Sequence, residues 1–125
     1  MSRRHIQPDD VAVPKAPYSP VVRDGDLVTT AGQVGFDVTG ALVAGIEQQT
    51  RQALDNLTAC LRAADCDRGD VVKINAYLAD LGDFDAFNAV YREYFQAPYP
   101  ARTTVGVSLP GGILVEIEAL ARVPA

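Results

Sequence analysis

Hydrophobic residues recur along the chain with two different periods. From Ile46 to Ala64 the apolar positions Ile46, Ala53, Leu54, Leu57, Leu61 and Ala64 keep helical spacing, while Glu47, Arg51, Asp55 and Arg62 occupy other faces. This predicts an amphipathic helix held by burial, because the i, i+4 pair of Glu47 and Arg51 adds only a few tenths of a kcal/mol. A second helix is expected from Phe84, with Asp83 able to accept a backbone N–H as its N-cap. Its stripe of Phe84, Phe87, Val90, Tyr91, Tyr94 and Phe95 is most simply read as core. Ala97-Pro98-Tyr99-Pro100 ends it, since a residue preceding proline disfavours the α region.

Other segments alternate with a period of two. Leu27 to Val34 reads as a strand, and Asp37-Val38-Thr39-Gly40 after it carries turn chemistry. Val71 to Leu78 reads as a buried strand with Val72, Ile74, Ala76 and Leu78 on one face and Val71, Lys73, Asn75 and Tyr77 on the other. Two closing strands, Thr103 to Val107 and Ile113 to Val123, are joined by Leu109-Pro110-Gly111-Gly112. The order β-β-α-β-α-β-β predicts an α+β fold, both helices on one sheet face. In the last strand Ile113, Val115, Ile117 and Ala119 form the apolar face that the helices cover. The opposite face mixes Leu114, Glu116, Glu118 and Leu120, and with Val71 and Tyr77 it is more apolar than a monomer leaves exposed. A second copy of the chain is the expected cover, and any site there would lie between subunits.

Length and composition narrow the chemistry. The 125 residues fit one domain, 1–125, large enough for an ordinary core. Eleven Lys and Arg against sixteen Asp and Glu give a net charge of −5, which argues against a nucleic-acid surface. The N-terminus turns polar before any apolar signal region, and no stretch of about 18 apolar residues occurs, so neither export by this route nor a membrane span is expected. Cys60 and Cys66 are the only cysteines and lack a CxxC spacing, and His5 is the only histidine. A zinc site or a histidine-dependent nucleophile is therefore not expected, and two reduced thiols indicate a reducing, cytoplasmic compartment.

The candidate chemistry lies near the C-terminus. Glu116 and Glu118 stand about 7 Å apart on one strand face and read either as ordinary outward carboxylates or as acid–base groups. Arg102 is expected just before a strand, after the rigid Tyr99-Pro100-Ala101. There its planar fork would either grip a carboxylate ligand or pair with Glu116 or Glu118.

Seven segments in order, Ala16-Pro17-Tyr18-Ser19-Pro20, Ala31-Gly32-Gln33, Thr50 to Leu57, Val71-Val72-Lys73, Asp83-Phe84 through Asn88 and Tyr91, Pro100-Ala101-Arg102-Thr103, and Val115 to Ala119, cover nearly the whole chain. Together they resemble the RidA (YjgF-like) family. The resemblance implies a chorismate-mutase-like α+β fold with a mixed sheet, assembled as a homotrimer around a central barrel. It also implies hydrolysis of reactive enamines and imines, of the 2-iminobutanoate and 2-iminopropanoate type, to 2-keto acids and ammonia, without a metal or cofactor. By the same resemblance Arg102 holds the substrate carboxylate, Glu116 handles water or protons, Tyr18 and Asn88 border the pocket and the Gly32 region supplies backbone contacts. Ala31 stands where many members have a serine, Val34-Gly35 replaces a common Ile-Pro, and Thr104 takes the place of a frequent cysteine, which bears on substrate choice. Two other readings stay open, a trimeric 2-keto acid binding protein without turnover and a pathway-dedicated deaminase or hydrolase on the same scaffold. A ribonuclease is disfavoured by the charge and the single histidine.

Overall fold

The computed structural model describes residues 2–125. In chain order its elements are β1 (Arg3–Ile6), β2 (Val21–Asp24), β3 (Leu27–Thr30), β4 (Gln33–Val34), α1 (Ile46–Ala63), β5 (Val71–Leu78), α2 (Phe84–Tyr94), β6 (Ala101–Gly106) and β7 (Val115–Arg122), with short 3-10 turns at Arg68–Asp70 and Leu81–Asp83. The strands form one sheet in the order β1-β2-β3-β7-β5-β6, and β4 pairs with β7 beyond the end of β3. β5 and β6 run parallel while the other pairings are antiparallel, so the sheet is mixed.

One sheet face and both helices enclose the core. Val28, Ile74, Ala76, Leu78, Val115, Ile117, Ala119 and Ala121 point to that face, and Leu54, Leu57 and Leu61 of α1 with Phe87 and Val90 of α2 close over it. Each Val, Leu, Ile or Phe among them contributes roughly 1.5–3 kcal/mol on burial. The opposite face has no helix on it. There Leu27, Val105 and Leu120 are exposed, alongside Glu116 and Glu118.

Four local expectations are corrected. The strand expected over 27–34 breaks at Ala31-Gly32, and the Ala119 N–H at the break donates to Thr30 Oγ1 at 3.0 Å instead of to a backbone carbonyl. A register shift between Val71 and Lys73 turns Val71 into the core and leaves Val72 55% exposed, the reverse of simple alternation. Asp83 makes no side-chain cap to α2; it sits in the 3-10 turn that leads into the helix, and Asp80 accepts from the Gly82 N–H at 2.8 Å there. β6 starts at Ala101, so Arg102 lies inside the strand, where the ladder fixes which face it points to.

Buried amides on α1 pin the loops around the break. Asn56 donates through Nδ2 to the carbonyls of Val34 at 3.0 Å and Phe36 at 2.9 Å. Gln49 donates to the Gly112 carbonyl and accepts the Leu114 N–H, tying the turn before β7 to the same helix.

Candidate functional site

Arg102 is cross-strand partner to Ile74, so it points to the helix-covered face at the β6 edge of the sheet. Its guanidinium does not meet Glu116 or Glu118. It donates from Nη2 to Asn88 Oδ1 of α2 at 2.7 Å and lies 4.7 Å from the ring centroid of Tyr91, 5.3 Å from that of Phe87 and 5.9 Å from that of Phe84. Among the described residues no carboxylate pairs with it. The aromatic faces favour the cation without neutralising it, which leaves a net positive group able to attract an anion. Asn88, Tyr91, Arg92, Tyr99, Pro100 and Arg102 line a cavity of about 270 Å³ beside it. Thr104 follows two residues later on the same face, opposite Ala76, with its hydroxyl buried and unpartnered.

Glu116 belongs to the other face. It is opposite Tyr77 on β5 and Val34 on β4, between the inward-pointing Val115 and Ile117. Gly32 lies against it: a Cβ at that position would overlap the Glu116 carboxylate, so the β3–β4 break is what leaves room for the acid. Partial burial, with the nearby Glu118 charge as the smaller cause, holds the Glu116 carboxyl above the usual range. Glu118 is satisfied differently, accepting from Tyr77 Oη at 3.0 Å and Asn75 Nδ2 at 3.3 Å. Burial, followed by that bond to Glu118, pushes the Tyr77 phenol up, so it stays a donor at neutral pH. Ala31 precedes Gly32 in the break and donates its N–H to the Pro20 carbonyl at 2.8 Å.

Tyr18 is 54% exposed and lies in a separate depression with His5, Val13 and Pro20, toward the β1 edge of the sheet, away from Arg102 at the β6 edge. The structure thus brings together Arg102 and Asn88 on one face, with Thr104 close by in the strand, and Gly32, Ala31 and Glu116 on the other. It does not bring Arg102 to Glu116 within a chain. β5 separates their strands by two spacings of about 4.8 Å, and their side chains leave the sheet in opposite directions. The Cys60 and Cys66 thiols are buried and unbridged, and burial pushes Cys60 up to about 12. Among the described residues no three His, Cys, Asp or Glu side chains gather as a metal ion would need.

Against known proteins, the family model described as endoribonuclease L-PSP matches residues 10–123. The chain belongs to that family, the RidA (YjgF-like) family. A RutC family protein of Pyrococcus horikoshii is 47% identical over 86% of this chain and 88% of its own. The 2-iminobutanoate/2-iminopropanoate deaminase of Capra hircus is 43% identical over 95% of this chain and 89% of its own. The crystal structure of RidA from the Antarctic bacterium Psychrobacter matches with a TM-score of 0.92 and 40% identity, covering 95% of this chain and 98% of the other. The mixed sheet with two helices is therefore the RidA fold.

The aromatic seat of Arg102 was not foreseen. Phe84, Phe87 and Tyr91 keep the helical spacing of a core stripe, yet the Arg102 guanidinium lies over all three rings, and Phe84 is 39% exposed. The signal was available in Phe84, Phe87, Asn88 and Tyr91, which present one helix face to whatever strand the chain adds after Pro100. The Glu118–Tyr77–Asn75 cluster depends on the β5–β7 register, which spacing alone does not give.

Proposed function

We propose that this chain is an imine/enamine deaminase that converts 2-imino acids of the 2-iminobutanoate and 2-iminopropanoate class to 2-keto acids and ammonia. The observation that carries the reading is the uncompensated Arg102 guanidinium, seated on aromatic faces, fixed by Asn88 and bordering a small cavity. Relatives above 40% identity bear the deaminase name over most of the chain. An imine carbon is already electrophilic, so the protein has to hold the carboxylate, place a water and move protons. Water adds to the C=N carbon, the bond electrons go to nitrogen with a proton, and the carbinolamine loses ammonia as its hydroxyl proton leaves to give the ketone. Arg102 holds the carboxylate. Glu116, with its raised pKa, takes the proton from the attacking water and returns it to nitrogen. The single histidine and the charge of −5 disfavour a ribonuclease reading.

Arg102 and Glu116 face opposite ways, so the reading requires that one subunit's Arg102, Asn88 and Thr104 meet the Glu116, Ala31, Gly32 and Tyr18 of a neighbour. A homotrimer covering the open face, where Leu27, Val105 and Leu120 are exposed, supplies that contact. The free thiols suit a reducing cytoplasm. The test is co-assembly of Arg102→Ala with Glu116→Ala. Each variant alone should fail to speed decay of an imine generated by an amino-acid oxidase, whereas equal mixing during refolding should return about a quarter of wild-type activity, because one site in four then receives both intact halves. Activity in either pure variant, or none in a mixture shown to contain mixed trimers, overturns the reading.

A further inference from the structure

We propose that the Tyr91 hydroxyl is a second hydrogen-bond donor to the ligand carboxylate held by Arg102; this deepens, and rests on, the deaminase reading. Tyr91 is only 4% exposed, yet among the described residues its hydroxyl and that of Thr104 are the buried side-chain polar atoms with no hydrogen-bond partner. A buried hydroxyl without a partner destabilises a protein, and phenylalanine would fill the same place without that cost. Tyr91 lines the same cavity as Arg102 and Asn88, and although its hydroxyl has almost no accessible surface in the free chain, a carboxylate drawn to Arg102 there arrives beside it. Its ring lies 4.7 Å from the Arg102 guanidinium carbon and packs on Phe95 at 4.7 Å and Phe87 at 5.7 Å, which fixes the direction of the hydroxyl. Asn88 accepts from Nη2 of the guanidinium, and among the described residues no other side chain takes an Arg102 N–H, so the remaining N–H groups are available to an anion. Burial, opposed by the adjacent Arg102 cation, pushes the Tyr91 phenol up to about 12, so it keeps its proton and does not repel a carboxylate. The acid group is thereby recognised from two elements, β6 and α2, and a neutral analogue of the same shape loses the charge component of both hydrogen bonds.

The substitution Tyr91→Phe keeps the ring and removes only the hydroxyl. Calorimetric titration with 2-oxobutanoate, the product class, and the oxidase-coupled imine assay are run on wild type and variant. The expected result is about a tenfold rise in Kd and in KM with kcat within about twofold, since a hydrogen bond to a charged group has been lost from binding. The melting temperature should equal or exceed that of wild type, because no hydrogen bond of the free protein is removed. Unchanged Kd and KM in a variant whose parent binds and turns over would overturn the assignment while leaving the deaminase reading intact. Weaker binding accompanied by a lower melting temperature would also overturn it, assigning the hydroxyl a structural role. A wild type that neither binds 2-oxobutanoate nor accelerates imine decay would overturn the functional reading and this inference together.

Discussion

Gly32→Ala separates activity from folding. A Cβ at Gly32 would stand 2.7 Å from Glu116 Cδ and 2.8 Å from Cγ, short of the ordinary 3.4 Å contact by 0.7 Å and 0.6 Å, and would overlap the carboxylate itself. All three of these atoms belong to one flexible side chain and none to backbone, and Gly32 is not among the glycines with positive φ. The added methyl therefore displaces Glu116 rather than the sheet. Rotating one glutamate costs about 1 kcal/mol, and replacing glycine by alanine recovers about 0.4–1 kcal/mol through the unfolded chain, so stability should change by less than about 1 kcal/mol. In the role proposed for Glu116, a displacement of close to 1 Å costs up to about a hundredfold in rate. Oxidase-coupled imine decay should thus slow by about ten- to a hundredfold while thermal unfolding stays within a few degrees of wild type. Full activity in a folded Gly32→Ala protein would refute a role for the position of Glu116, and loss of folding would refute the claim that the side chain alone gives way.

Two further outcomes follow from the same geometry. Glu116 holds its proton more tightly folded than unfolded, so its contribution to stability is lost as pH rises from about 4.3, the unfolded value, through the higher folded value. Glu116→Gln removes this dependence: its melting temperature should gain on wild type as pH climbs through that interval and hold a constant lead above it, and a lead that shrinks with rising pH contradicts the assignment. Asn56→Ala strips the Val34 and Phe36 carbonyls of their donor and should cost about 2–4 kcal/mol in denaturant unfolding; a loss below about 0.5 kcal/mol would show that α1 does not clamp the β3–β4 break.

The amphipathic pattern of Ile46 to Ala64, the β-period of Val115 to Ala121 and the segments around Arg102 and Glu116 were legible because they depend on residues close together in the chain. One-sided burial of a helix or strand imposes a period that any reader of the sequence can count. Local irregularities were not legible. The bulge that exchanges Val71 for Val72 follows from pairing with β7, almost fifty residues downstream, and the break at Ala31-Gly32 goes with two contacts to β7, Thr30 with the Ala119 N–H and Gly32 with the Glu116 side chain. Arg102 shows the division most clearly. Its presence after Pro100 and its fitness to hold a carboxylate were apparent from residue type and position. That it faces the helices, donates to Asn88 and turns its back on Glu116 was decided by the parallel pairing of β5 with β6, since register assigns each strand residue to one face and a shift of one residue reverses the assignment.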